Sequence, residues 1–170
     1  MANKKFLIPW IISLAIMVLI FVFSACPGDV SGGMSEKITL FLLNIFNPDY
    51  ASMDASVAQI VFESWHHIVR KCAHFCIYLC LGASFMVAFY ATPVWTNNTN
   101  RIRALKSMPS ALGFSILYAI SDEFHQSFIA GRTALFTDVL IDSAGALVGI
   151  FIAGAILHLI DRAHNKKAQN

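Results

Sequence analysis

The chain has 170 residues, of which 57% are hydrophobic and 13% are charged, and its mean hydropathy is +0.64. Soluble domains are typically about 25% charged, so this composition indicates an integral membrane protein, and the 14 phenylalanines exclude a disordered chain. A net charge of +2 without a basic cluster interleaved with aromatic residues excludes nucleic-acid binding. At this length we expect a single membrane domain over residues 1–170.

Four stretches of the chain are long and apolar enough to cross a bilayer as helices, because about 20 apolar residues span its hydrocarbon core. They lie at about 6–25, 70–92, 108–128 and 136–160. The sequence therefore predicts an all-α integral membrane protein, a four-helix transmembrane bundle with short outer interfacial helices between spans 1 and 2.

The first span has a second interpretation. Lys4 and Lys5, the apolar run and the sequence Ser24-Ala25-Cys26 together resemble a secretory signal that ends at a lipidated cysteine. The apolar run is long for a signal peptide, which favours an uncleaved helix. Whether Cys26 carries a lipid stays open at this point.

The segment between the first two spans is expected to lie on the outer side. Pro27-Gly28 and Gly32-Gly33 indicate turns, and residues 38–46 are apolar but too short to span, which favours an interfacial or re-entrant helix. Asp54 is placed to cap a second outer helix that ends before the second span. On the other side, residues 93–107 are expected to form a polar connector.

Lysine and arginine are divided unequally between the two sides of this arrangement. Eight lie at the termini and in the 93–107 connector, whereas four lie on the opposite side. Positive residues favour the cytoplasmic side of a membrane. We therefore predict a multi-pass protein with both termini in the cytoplasm.

Polar and ionisable residues gather at the outer ends of the last three spans. At about 100° per residue, one face of each span carries them: Lys71, His74 and Tyr78; then Asp122, His125 and, at the margin, Gln126; then Asp138 and Asp142. Glu123 points away from Asp122, and Arg132 lies in a tight hairpin at 130–132.

A lone charge inside a membrane helix costs about 2.5–3.5 kcal/mol, so we expect Lys71 and Arg132 to pair with the carboxylates.

Two interpretations of this polar cluster remain open: an ion-pair network that only holds the bundle together, and a functional site facing the outer leaflet. Ionisable clusters within membranes are usually functional, which favours the second. No CxxC pair or HExxH helix indicates zinc. His74, His125 and carboxylates offer nitrogen and oxygen ligands, but Lys71 and Arg132 compete for those carboxylates, so we assign no metal and leave the cofactor unknown.

Two patterns of small residues are interpreted as packing. Gly145 and Gly149 continue the Asp138/Asp142 stripe, and glycines at this spacing let helix backbones approach closely. Cys72, Cys76 and Cys80 recur every four residues and are expected to pack as small apolar side chains.

Several motifs together resemble the VanZ-like proteins over about residues 20–150. They comprise Ser24-x-x-Pro27-Gly28-x-x-Ser31-x-x-x-Ser35, Arg70-Lys71-x-x-His74-Phe75-x-x-Tyr78, Ser121-Asp122-Glu123-Phe124-His125-Gln126-x-Phe128, Gly131-Arg132, Asp138, Asp142 and Gly145-x-x-x-Gly149. Ala130 departs from the pattern, since the family often has proline there. The resemblance implies a small protein of the bacterial cytoplasmic membrane, linked to lower susceptibility to teicoplanin and other lipid-tailed glycopeptides. It implies no particular reaction.

Our functional prediction is a site that acts on or binds an outer-leaflet lipid, a cell-wall precursor or a lipoglycopeptide, with the lipid bilayer as the surrounding partner. If the protein is an enzyme, His125 acts as general acid or base, oriented by Asp122. The predicted catalytic group is His125, Asp122, Glu123 and His74, and the predicted ligand-binding group is Lys71, Arg132, Gln126, Tyr78, Asp138 and Asp142. The alternative is a non-enzymatic binder or scaffold. A transporter is disfavoured because the inner half carries almost no polar residues.

Overall fold

The computed structural model describes residues 6–93 and 100–169, and within these ranges the regular elements are all helical. They are α1 (Leu7–Ser24), α2 (Gly28–Phe46), a short 3₁₀ helix (Pro48–Ser52), α3 (Ala55–Ala91), α4 (Asn100–Gln126) and α5 (Phe136–Gln169). The prediction of an all-α protein is confirmed. The basic residues Lys4 and Lys5 and the middle of the expected connector lie outside the described residues.

Three of the described helices, α1, α3 and α5, are long and apolar enough to cross a membrane. They contain the first, second and fourth predicted spans. The third predicted span lies in α4, which is not among the three, so the four-span prediction is confirmed only in part. The physical reason is that charged residues stand near both ends of α4, from Arg101, Arg103 and Lys106 to Asp122 and Glu123, and lower its mean hydropathy. The helix is also two-sided: Phe114, Leu117 and Phe124 are exposed, whereas Asp122 and Glu123 are buried.

The segment between spans 1 and 2 differs from the prediction. A separate outer helix was expected after Asp54, but α3 is one continuous helix of 37 residues. Asp54 stands at its N-cap position without a side-chain capping hydrogen bond. No glycine or proline interrupts residues 55–81, so nothing breaks the helix. At 1.5 Å per residue α3 is about 55 Å long, well beyond a hydrocarbon core of about 30 Å.

Helix α2 is longer than expected and begins directly after Pro27, its N-cap residue. Gly32 and Gly33 lie inside it, so the turn predicted there is wrong. Tertiary contacts compensate for the low helix propensity of glycine: Thr39 and Leu43 are fully buried. The expected connector also ends early, because α4 begins at Asn100.

Glycines allow α3 and α5 to pack with their backbones in contact. A Cβ atom on Gly145 would overlap the carbonyl of Phe75, and one on Gly149 would overlap the carbonyl of Leu79. The close-packing prediction for these glycines is therefore confirmed. The packing prediction for the cysteines is wrong, since Cys72, Cys76 and Cys80 are all exposed.

A second set of polar contacts ties α3, α4 and α5 together at the end of the bundle remote from the predicted site. The Tyr90 hydroxyl donates a hydrogen bond to Asp161, and the Arg103 guanidinium donates to the Tyr90 carbonyl at 2.6 Å. The same guanidinium lies 4.1 Å above the Tyr90 ring. Side chains therefore fasten this end of the bundle, as the polar cluster does at the other.

Candidate functional site

Three helices bring His74, Asp122 and Asp142 together at one end of the bundle. One ring nitrogen of His74 and one carboxylate oxygen of each aspartate lie within 4.8 Å of one another. Asp122 is 4% exposed and Asp142 is 1% exposed, so both carboxylates are withdrawn from solvent. The predicted convergence of these three residues is therefore confirmed. We call these three residues the central triad.

The polar atoms of the central triad are incompletely satisfied among the described residues. Gln126 donates a hydrogen bond to Oδ2 of Asp122 at 2.9 Å, but Oδ1 of Asp122 has no partner there. Oδ1 of Asp142 lies 3.7 Å from Nδ1 of His74, which is beyond hydrogen-bond distance. Buried polar atoms without a partner are rare in native proteins and call for a reason.

Lys71 pairs with a carboxylate, as the sequence predicts, and its partner is Asp138. Lys71 Nζ on α3 donates to a carboxylate oxygen of Asp138 in the first turn of α5. Their side chains are 27% and 30% exposed, so the pair is partly desolvated.

Breaking this ion pair on one side is expected to destabilise the protein more than removing both partners. Lys71→Met leaves the Asp138 carboxylate without its cation, and we expect a loss on the order of 1–2 kcal/mol in the free energy of unfolding. Lys71→Met combined with Asp138→Asn should recover most of that loss. Unfolding in mixed micelles measures both, and equal losses in the two proteins would contradict the assignment.

Arg132 pairs with no carboxylate among the described residues, which corrects the prediction. Its guanidinium donates to the carbonyls of Phe23 at 3.0 Å and Cys26 at 3.4 Å, and to Oε1 of Gln126 at 3.2 Å. Gly131, with φ of 73°, makes the turn that places it. Partial burial lowers the pKa of Arg132 from its usual value, with Arg70 acting in the same direction. Arg132 thus donates to one carbonyl in the last turn of α1 and to one just beyond it, where a cation is favourable.

His125 does not make the contact with Asp122 that was predicted for it. Its ring packs on Phe21 of α1 at a centroid distance of 4.6 Å. Its Nδ1 has no hydrogen-bond partner among the described residues, and Asp122 accepts from Gln126 instead. The expected His125–Asp122 hydrogen bond is therefore wrong. A catalytic role for His125 stays a prediction.

Glu123, Gln126 and Tyr78 are buried, and two of them link elements. Glu123 accepts a hydrogen bond from the backbone N–H of Leu135 at 2.5 Å, which ties the end of α4 to the start of α5. Besides Asp122, Gln126 donates to Ser24 at 3.2 Å. The Tyr78 hydroxyl is fully buried without a hydrogen-bond partner in the described part of the chain.

A polar cavity of about 110 Å³ opens beside the central triad. Its lining includes the side chains of Arg70, Lys71, His74, Arg132, Asp138 and Asp142. Five of these six are predicted site residues. Arg70 was overlooked as a site residue, although its position directly before Lys71 in the VanZ-like motif was a signal for it.

An apolar groove of about 350 Å³ adjoins the polar cavity. It lies between α1, α2 and α3, and its lining includes Ile20, Phe23, Ile38, Val69, Ala73 and Ile77. Arg70, His74 and Arg132 line both spaces. The sequence did not predict the groove, because it depends on how α1 and α2 each pack against α3.

Helices that can cross a membrane, with polar side chains converging at one end of the bundle, define a small helical protein suited to a bilayer. The VanZ/LLP1 family model matches residues 9–158, which is most of the chain, so the protein belongs to the VanZ/LLP1 family. This confirms the resemblance deduced from the motifs. No curated protein and no solved structure matches the chain.

Proposed function

We propose that the protein binds or acts on an amphiphile of the outer leaflet and thereby lowers susceptibility to teicoplanin-type glycopeptides. The ligand is an envelope lipid, a cell-wall precursor or a lipid-tailed glycopeptide, each of which joins a polar head to a long apolar chain. The VanZ/LLP1 family, to which the chain belongs, is associated with glycopeptide resistance. The observation that carries the proposal is the polar cavity and the apolar groove meeting at Arg70, His74 and Arg132.

The two spaces differ in the chemistry that they offer. The polar cavity presents the cationic side chains of Arg70 and Lys71, which suit a phosphate or carboxylate of the head group. The groove is bounded by aliphatic and aromatic side chains and has the size of a small-molecule site, for which about 300–1,000 Å³ is usual. Together they favour an amphiphilic ligand over a soluble polar one.

The placement in the membrane that we propose has four crossings, with α4 as the fourth. Its exposed Phe114, Leu117 and Phe124 would face lipid, while its buried Asp122 and Glu123 face the other helices. An even number of crossings puts both termini on the cytoplasmic side, in accordance with the distribution of lysine and arginine. The cavity and groove then open toward the outer leaflet of the bacterial cytoplasmic membrane.

A scaffold is the second candidate, and two contacts favour it. Lys71 is engaged by Asp138, and Arg132 is engaged by the end of α1. These two cations therefore stabilise the bundle whether or not a ligand binds. A purely structural network does not account for the apolar groove beside it.

Filling the groove is expected to abolish protection without disturbing the polar residues. Ala73 is exposed along the groove, so Ala73→Trp places an indole where the apolar chain would lie. The matched control is Ala144→Trp, at an exposed position of α5 outside the linings of both spaces. Teicoplanin susceptibility is measured in cells with equal membrane levels of each protein. Full protection by Ala73→Trp would contradict the proposal.

A third variant separates catalysis from binding in the same assay. His125→Gln removes the imidazole but keeps a polar side chain of similar length. Loss of protection, with a changed lipid or wall precursor only in wild-type cells, supports an enzyme. Protection equal to that of the wild type supports a binder.

A further inference from the structure

We propose that the central triad of His74, Asp122 and Asp142 binds one divalent transition-metal ion, with Zn²⁺ as the closest match. The three ligand atoms lie within 4.8 Å of one another. Around a tetrahedral zinc ion with bonds of about 2.0–2.2 Å, neighbouring ligand atoms are roughly 3.4 Å apart. The observed separations are thus at most about 1.4 Å longer than those of a bound zinc site. Each ligand comes from a different helix, so the ion would fasten α3, α4 and α5.

The second observation is the lack of partners at the atoms that would bind the ion. Oδ1 of Asp122, Oδ1 of Asp142 and Nδ1 of His74 have no hydrogen-bond partner among the described residues. Both aspartates are more than nine-tenths buried. A histidine that ligates a metal ion is neutral, so with an ion bound the two buried carboxylates would carry two negative charges, which a divalent ion balances.

The two cations that the sequence offered as partners for these carboxylates are engaged elsewhere. Lys71 pairs with Asp138, and Arg132 donates to two backbone carbonyls and to Gln126. In the sequence, Lys71 and Arg132 were expected to compete with a metal ion for the carboxylates. Their contacts in the fold remove that competition. Gln126 also holds Oδ2 of Asp122, as supporting hydrogen bonds do around metal ligands.

The donor set selects the class of ion. Mg²⁺ and Ca²⁺ prefer oxygen ligands alone, whereas imidazole with carboxylates suits zinc and its neighbours. Three protein ligands leave a fourth position open, and His74 and Asp142 both line the polar cavity. An anionic oxygen of the head group is the ligand we expect there. That last step rests on the proposed function, whereas metal binding itself does not.

The test uses the full-length protein in lipid nanodiscs, stripped with a chelator and titrated with Zn²⁺ alone. The four cysteines are replaced by serine in every sample, because Cys72, Cys76 and Cys80 form an exposed thiol stripe with its own affinity for zinc. Bound zinc is counted by mass spectrometry after dialysis against a zinc buffer. We expect one equivalent per chain.

The variants locate the bound ion. His74→Gln and Asp142→Asn should each weaken zinc binding more than about tenfold, since even outer hydrogen-bond partners of metal ligands are worth about 10–100-fold. The controls His158→Gln and Asp49→Asn change a histidine and an aspartate remote from the triad and should bind as the parent does. Zinc binding that is absent in the parent, or unchanged in Asp142→Asn, overturns the proposal.

A stability measurement keeps the test decisive if a variant folds poorly. A ligand that binds only the folded state raises the thermal unfolding midpoint, so zinc should raise it in the parent and not in Asp142→Asn. A parent midpoint that does not respond to zinc overturns the proposal.

If zinc binds at the triad but Ala73→Trp still protects, the metal site stands and the proposed function fails. If Ala73→Trp loses protection but zinc does not bind, the proposed function stands and the metal site fails.

Discussion

Gly149→Ala is expected to separate α3 from α5 and to produce the largest loss of stability of any single methyl group added to this chain. A Cβ atom at position 149 would overlap the carbonyl oxygen of Leu79 and press on the backbone nitrogen of Ala83. Both obstacles are backbone, so no side chain can rotate away. Overpacking costs about 1–3 kcal/mol where side chains can adjust, and we expect a loss at the upper end of this range.

Gly113→Ala is the matched control for this prediction. Gly113 is also a helical glycine, on α4, but a Cβ atom there would meet no other atom within 4 Å. Its free energy of unfolding should stay within about 0.5 kcal/mol of the wild type or rise, because alanine is the better helix former. Steric trapping in bilayers measures both variants. If they unfold with equal free energies, the backbone contact is not what holds the two helices together.

Arg132→Lys is expected to cause the second large effect, although it preserves the charge. The planar guanidinium donates to Phe23, Cys26 and Gln126 at the same time. A lysine ammonium is a single point donor and cannot reproduce this fork. Hydrogen bonds to charged groups are worth about 1.5–3 kcal/mol each, so loss of two should loosen the C-terminal end of α1 and deform the groove beside it.

Two readouts distinguish a guanidinium that holds the end of α1 by several hydrogen bonds, which we call a clamp, from a side chain that only supplies a positive charge. If Arg132 served only to attract an anionic head group, Arg132→Lys would keep protection against teicoplanin. As a clamp it should lose protection and also expose Cys26 to membrane-impermeant thiol reagents faster than in the wild type. Cys26 is partly buried in the wild type, so it serves as the reporter. Wild-type reactivity together with full protection would contradict the clamp.

Much of the candidate site could be predicted from helical periodicity. The faces that carry His74, Asp122 and Asp142 follow from a rotation of about 100° per residue, and the structure brings them together. That Lys71 would pair with a carboxylate was also predictable, because an unpaired charge inside a membrane is costly. The structure identifies the partner as Asp138. These predictions needed only local geometry and the penalty for burying a charge.

The errors concern features that depend on neighbouring helices. Gly32 and Gly33 indicate a turn by propensity, but they lie inside α2, which packs against α3. Arg132 was expected to pair with a carboxylate because the sequence does not show that the end of α1 lies within its reach. His125 likewise packs on Phe21 of another helix instead of bonding to Asp122 one turn away.

The class of the protein, the helices able to cross a membrane and the polar face that each presents all follow from the sequence, because hydropathy and periodicity are properties of short segments. Which charges are neutralised depends on the packing of the helices. That packing engages Lys71 and Arg132 elsewhere and leaves the carboxylates of Asp122 and Asp142 buried, each with an oxygen that has no hydrogen-bond partner among the described residues. It also creates the apolar groove beside the polar cavity. Pairing and cavity shape depend on distances between helices, and those distances are set by how closely glycine-lined backbones can approach.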